Sequence, residues 1–297
     1  ISSVTLFGFA LITRSLQAAT MSATNPGCVA YAADQTSTQN RTRIIARLTS
    51  ANSLGMIVGP VFVGLVAGLG LLTPLVVASI LSATSAMLIS LRLPNHPIVR
   101  RNEHQSKKIG YFDNRLRPFL VSAIGAFTGF AMIQQTLAFR LQDSFALNGT
   151  ETAQHVGLAM MASAAAMLLM QIFISQRYSK SPIDLVRWGA GLMAAGTITI
   201  SLFSSWLAIL SSMAIIGAGL GLLMPAVTAG ASLALGAEEQ GGAAGLVSAC
   251  PAAGFIMGPI AGGILYQYSA PSASWGAASV LILTFLTTLR LSRTTPF

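Results

Sequence analysis

Charge is what this sequence has least of. Only 8% of its 297 residues are Asp, Glu, Lys or Arg, and just 8 are acidic. Soluble domains carry about a quarter charged residues, so composition excludes a soluble enzyme. No stretch alternates as a strand would, and an open sheet cannot span lipid. Cysteine is almost missing. Cys28 and Cys250 lie in apolar runs, too few for a disulfide framework and without metal-ligand spacing, so no metal site is expected. No glycine-rich phosphate loop supports an ATP-driven pump, and no catalytic residue or bound cofactor is expected. The net charge of +9 does not point to nucleic acid, because the basic residues sit in loops between apolar runs.

What the chain has is long hydrophobic runs: 53% of its residues are hydrophobic, and its mean hydropathy is +0.69. About 20 apolar residues cross the hydrocarbon of a bilayer as a helix. Nine such segments are expected, at 5–33, 45–69, 72–92, 117–138, 155–175, 184–204, 206–235, 242–267 and 273–292, with a polar linker at 93–116. The expected class is therefore an all-α polytopic membrane protein. Alternating the spans places Arg41, Arg43, Arg47, Arg92, Arg100, Arg101, Lys107, Lys108, Arg115, Arg117, Arg177, Lys180, Arg187, Arg290 and Arg293 on one side. That leaves Arg140 alone on the other and Arg14 inside a span. Fifteen of 17 basic residues on one face mark it as cytoplasmic.

The most informative stretch is 51–68, apolar yet carrying four glycines and a proline. Each interior glycine costs about 1 kcal/mol against alanine, and a proline about 3. Such a pattern survives where another backbone approaches closely or a helix bends. Asn52, Gly55 and Gly59 share one helical face ahead of Pro60, with Gly64 roughly opposite. Residues 250–263 repeat the pattern: with Gly59-Pro60 aligned on Gly258-Pro259, Gly55 falls on Gly254 and Gly64 on Gly263. Two copies of a costly pattern point to internal duplication, a common architecture of secondary transporters. One helix follows each copy. Segments four to nine then form a complete six-helix repeat, and the first repeat holds three helices, so nine helices of an expected twelve are present.

Gly55 to Gly64 resembles the Gly-x-x-x-Gly-Pro-x-x-Gly-Gly motif of the major facilitator superfamily, in its drug:proton antiporter branch, with Val63 departing from the pattern. Arg14-Ser-Leu-Gln17 resembles that branch's helix-four Arg-x-x-Gln, with Ala18 replacing the usual glycine. Asp34, Arg41 and Arg43 resemble the end of helix four and its basic loop. Arg177 and Lys180 fall where the second repeat keeps a degenerate Asp-Arg-x-Gly-Arg motif. The resemblance covers the whole chain, from the family's fourth helix to its twelfth. It implies that residues 1–92 are the last three helices of an N-terminal bundle. Residues 93–116 would be a cytoplasmic inter-bundle linker, and 117–297 a complete C-terminal bundle. It also implies proton-coupled export, and it makes Asp34, Arg41, Arg43, Arg177 and Lys180 candidates for a cytoplasmic gate.

Arg14 is the sharpest single candidate. It reads either as a snorkelling or structurally paired arginine or, as the resemblance implies, as a cavity cation tuning a carboxylate on another helix. No span holds a mid-membrane acid. The titrating group of a proton-coupled carrier is therefore expected outside this stretch, with Asp34 the fallback. Gln17 lies on the same side of the helix as Arg14. Asn25, before Pro26, would expose a carbonyl to a cavity. Asn52 reads as packing glue or as a ligand. Of the adjacent Gln134 and Gln135, one can face a cavity while the other meets a neighbouring helix. Met132, Met160, Met161, Met167, Met170 and Met224 are candidates for an adaptable apolar pocket, against an alternative reading as ordinary lipid-facing methionines.

The expected protein is a monomeric, multi-pass secondary transporter of a bacterial inner membrane. Its partners are the lipid bilayer, a small apolar substrate and the proton, with the proton gradient as energy source. An uptake permease or metabolite symporter of the same fold, and a truncated inactive remnant, stand as alternatives.

Overall fold

The computed structural model describes residues 3–34, 51, 55, 58–59, 62–70, 72–92, 110, 113–177, 181–235 and 239–291. Among these there is no strand. Eight helices are long and apolar enough to cross a membrane. We name them α1 (Ser3–Asp34), α2 (Thr73–Arg92), α3 (Arg117–Phe145), α4 (Gly149–Arg177), α5 (Pro182–Leu202), α6 (Trp206–Leu233), α7 (Gln240–Tyr268) and α8 (Ala270–Leu291). Most of the expected span at 45–69 lies outside the described residues; its described end is a helical stretch at 62–66 followed by a 3-10 turn, Ala67–Leu69. Gly70 then turns the chain with φ of +144°, a conformation closed to side-chain-bearing residues, and its carbonyl accepts from Thr73 N at 3.1 Å.

The chain divides into two compact units, Ile1–Val58 and Gly59–Phe297. In the first, α1 is helical throughout, including Asn25 and Pro26. Thr13, Thr20 and Thr24 bond back to carbonyls three or four residues earlier, so these hydroxyls need no other partner within an apolar helix.

In the second unit, α3 to α8 enclose one core. It is built from side chains on all six helices or packed against them, among them Met132, Ile133, Leu137, Met193, Ile216, Leu223 and Leu281. Of the six methionines expected to line a pocket, Met132 and Met160 are buried core residues and line no open pocket, whereas Met161, Met167, Met170 and Met224 are half-buried. The main pairings are α5 with α6, α3 with α7, α4 with α6, and α8 with α3 and α5. Glycine lets α6 serve two neighbours at once. Gly217 and Gly221 abut the backbone of Ser163 and Met167 on α4, while Gly219 meets Gly189 O and Met193 on α5. Residues two apart on a helix point about 200° apart, so an alternating glycine run seats a backbone on each side. The opposite faces of α5 and α8 stay exposed through Trp188, Leu202 and Leu283. By contrast, α2 buries only Pro74, and most of its apolar side chains are exposed.

Two helix ends differ from the sequence expectation, and polar pairing is the reason. α3 runs seven residues beyond 138, because Arg140 is buried and Asp143 is bonded across to α7. α4 begins six residues before 155, where Asn148 and Glu151 cap it reciprocally: Asn148 N donates to Glu151 Oε2 at 3.0 Å, and Glu151 N to Asn148 Oδ1 at 2.9 Å.

Candidate functional site

The glycine-proline copy on α7 forms a seam against α3. A Cβ on Gly254 would collide with Phe127 and with Thr128 N at 2.8 Å. One on Gly258 would meet Ala131 Cβ at 2.5 Å and Thr128 O at 2.8 Å. Pro259, half-buried, follows in the same helix. The seam does not end at Gly263, which is exposed with nothing within 4 Å of where its Cβ would lie. It continues instead to Gly262, four residues after Gly258, where a Cβ would stand 3.2 Å from Met132 Cα. The physical reason is helical: residues four apart stay on one face, and a fifth step rotates off it.

In the first copy, Gly55 is exposed and Gly59 half-buried, and neither has a described atom within 4 Å of a Cβ. The close approach there falls at Gly64, whose Cβ would lie 3.4 Å from Gly157 Cα on α4. Gly68 follows against Gln154 Nε2 at 3.1 Å. Asn52 and Pro60 lie outside the described residues.

Arg14 is exposed on α1, and its Nη1 donates to Gln17 Oε1 at 2.8 Å, a local i,i+3 pairing. Asn25 lies within α1 and Asp34 ends it; Arg177 ends α4. Arg41, Arg43 and Lys180 lie outside the described residues. Of the five gate candidates, the described residues thus place only the backbones of Asp34 and Arg177, each at a helix end. On α3, Gln135 is exposed, while Gln134 is half-buried, with an Oε1 shielded from solvent that accepts no hydrogen bond. One turn before Gln134, Phe130 stands edge-on to Phe255 of α7 at 6.4 Å between ring centroids, and Phe127 lies 6.0 Å from the same ring. A narrow apolar crevice lined by Pro118, Phe119, Ser122, Ile183, Val186 and Thr288 includes none of the candidates.

Sequence reasoning placed Arg140 in a loop, and the structure corrects this. Arg140 is 6% exposed. Its Nη1 donates to Ser274 Oγ on α8 at 2.7 Å. Its Nη2 donates to Ile200 O and Phe203 O, at 2.5 and 3.4 Å, at the C-terminal end of α5. Nearby, Tyr266 OH of α7 donates to Asp143 Oδ2, and the ring of Tyr266 lies 5.8 Å from that of Phe139. Polar side chains thus pin the far ends of α5, α7 and α8 to α3. The available signal was that Arg140 stood alone in its set of loops and three residues before Asp143.

Just before α3, Arg115 bridges two carboxylates. Its guanidinium donates to Asp113 at 2.8 and 3.1 Å and, by a two-pronged contact, to Glu239 at 3.1 and 3.3 Å. The entry to α3 is thereby tied to the start of α7. The hydrogen bonds from the Arg115 side chain and backbone hold the Asp113 carboxyl below its ordinary value of 3.8. A depressed carboxylate pKa adds stability that is complete above the unfolded value and lost as pH falls through the folded one. The melting temperature in detergent should therefore decline below about pH 4, and Asp113→Asn should flatten that decline. An acid limb of equal slope in Asp113→Asn would show that the clamp adds nothing.

Among the described residues, eight apolar spans and backbone-to-backbone glycine seams define a multi-pass helical membrane protein. The sequence profile of the Major Facilitator Superfamily matches residues 1–183 and 119–296. The chain belongs to that family, which is one of transporters and not of enzymes. It is 28% identical over 251 residues to multidrug resistance protein 1 of Bacillus subtilis (strain 168), covering 82% of this chain and 62% of that protein. It is 26% identical over 276 residues to multidrug resistance protein 2 of the same strain, covering 89% of this chain and 67% of that one. The chain thus spans about two thirds of the length of these curated relatives.

Proposed function

We propose that the chain is part of a secondary transporter that exports small, largely apolar compounds by alternating access, driven by proton entry across a bacterial inner membrane. The observation that carries this is the similarity to two multidrug resistance proteins over 82% and 89% of the chain. The double match of the family profile supports a two-repeat design, in which bundles rock about a central site. Arg14 on α1 supports a polar path as well: a cation exposed along an apolar helix is expensive in lipid, so α1 is best placed facing a polar cavity. In this reading the working unit is a monomer, and Arg14 and Gln17 tune a proton-carrying carboxylate.

Cells expressing the chain should accumulate less of a lipophilic fluorescent dye than cells with an empty vector. A protonophore should abolish the difference. Arg14→Ala should abolish it too, at unchanged membrane abundance. Higher accumulation than in the control would instead mean uptake. Equal accumulation with the protein present in the membrane would mean that the chain by itself exports nothing.

A further inference from the structure

The stretch of α3 facing α7 carries more than packing residues. Phe127, Phe130 and Gln134 recur at intervals of three and four, so they form one stripe along the helix. Phe255 meets both phenylalanine rings from α7, yet it is still 39% exposed. Aromatic rings clustered without full burial offer π-faces to a further ring. A hydrogen-bond acceptor follows them on the same stripe: Gln134 Oε1, shielded from solvent and without a donor. A buried acceptor left unpaired is unfavourable by about 1–3 kcal/mol, so a partner that donates is favoured there.

We propose that Phe127, Phe130, Phe255 and Gln134 form a binding half-site for flat aromatic compounds bearing an N–H or O–H donor. The rings take the aromatic plane, and Gln134 Oε1 takes the donor. This names a substrate class for the transporter proposed above and rests on that reading. The preference comes from an acceptor and needs no charge on the ligand.

The test uses the full chain, purified in detergent micelles, and two neutral fluorescent probes of the same shape. These are 7-amino-4-methylcoumarin, with two N–H donors, and its 7-dimethylamino analogue, with none. The amino compound should bind about five- to tenfold more tightly. Gln134→Leu should bring that ratio close to one, mainly by weakening the amino compound. Phe255→Leu should weaken both probes by a similar factor and keep the ratio. Melting curves matching the parent chain would show that each variant is folded. A parent ratio near one, an unchanged ratio in Gln134→Leu, or no saturable binding of either probe overturns the proposal. Dye export separates the two readings. Export with a ratio indifferent to Gln134 sinks the half-site alone. A Gln134-dependent ratio without export sinks the transport reading and leaves a binding site.

Discussion

Alanine at Gly258 should destabilise the protein, whereas alanine five residues later at Gly263 should leave it unchanged or slightly more stable. Alanine is favoured over glycine in a helix interior by about 1 kcal/mol at both positions. Against that gain, the new methyl at Gly258 would stand 2.5 Å from Ala131 Cβ, 2.8 Å from Thr128 O and 3.1 Å from Met132 N. Two of those three atoms are backbone, so relief requires α3 and α7 to separate. Overpacking of this kind typically loses about 1–3 kcal/mol, which outweighs the propensity gain. Leucine at 258 adds three more carbons to the same gap and should prevent monodisperse recovery altogether. At Gly263 no atom lies within 4 Å of the added carbon, so the propensity term stands alone. Thermal melting of the two alanine variants in one detergent decides the matter by sign. Equal shifts would mean that the seam is not close-packed.

That pair of glycines also shows how far the sequence could be read. The spans were legible because 18 or more apolar residues leave few alternatives to a membrane helix. Gly254 and Gly258 were legible because a costly pattern occurred twice. Gly263 was matched by counting along an alignment, whereas packing follows helical phase; phase selects Gly262. The glycine run at 217–221 gave no comparable signal, because residues at alternate positions serve two different neighbours. Gln134 was visible as one of two adjacent amides, but the choice between them depended on the rotation of α3 against Phe255. Arg140 was the largest loss. A hydropathy window treats a charge at a span's end as its boundary. Whether that charge is solvated or taken into the bundle is decided by partners 60 and 134 residues away, Ile200 and Ser274.

Arg140→Met should be the most damaging polar substitution at the far end of the bundle. Methionine fills much of the arginine stem's volume, so the apolar contacts of that stem survive. The guanidinium's work does not. Ile200 O and Phe203 O lie in the last turn of α5, where carbonyls lack helical donors and the helix end is negative. With Arg140 gone, the shielded carbonyl and Ser274 Oγ lose their donor, and a loss of about 2–4 kcal/mol is expected. Arg140→Lys should recover only part of it, since a single ammonium cannot span acceptors on two helices as the planar fork does. Ser274→Ala removes one acceptor and should lose about 1 kcal/mol. In a double mutant with Arg140→Met, the Ser274 change should add little, because the bond is already broken. Burying a cation is unfavourable, and hydrophobic replacements of buried ions sometimes stabilise. A melting temperature for Arg140→Met at or above that of the parent chain would therefore show that Arg140 is not retained for the stability of the fold. Dye export by that variant would then be the next quantity to measure.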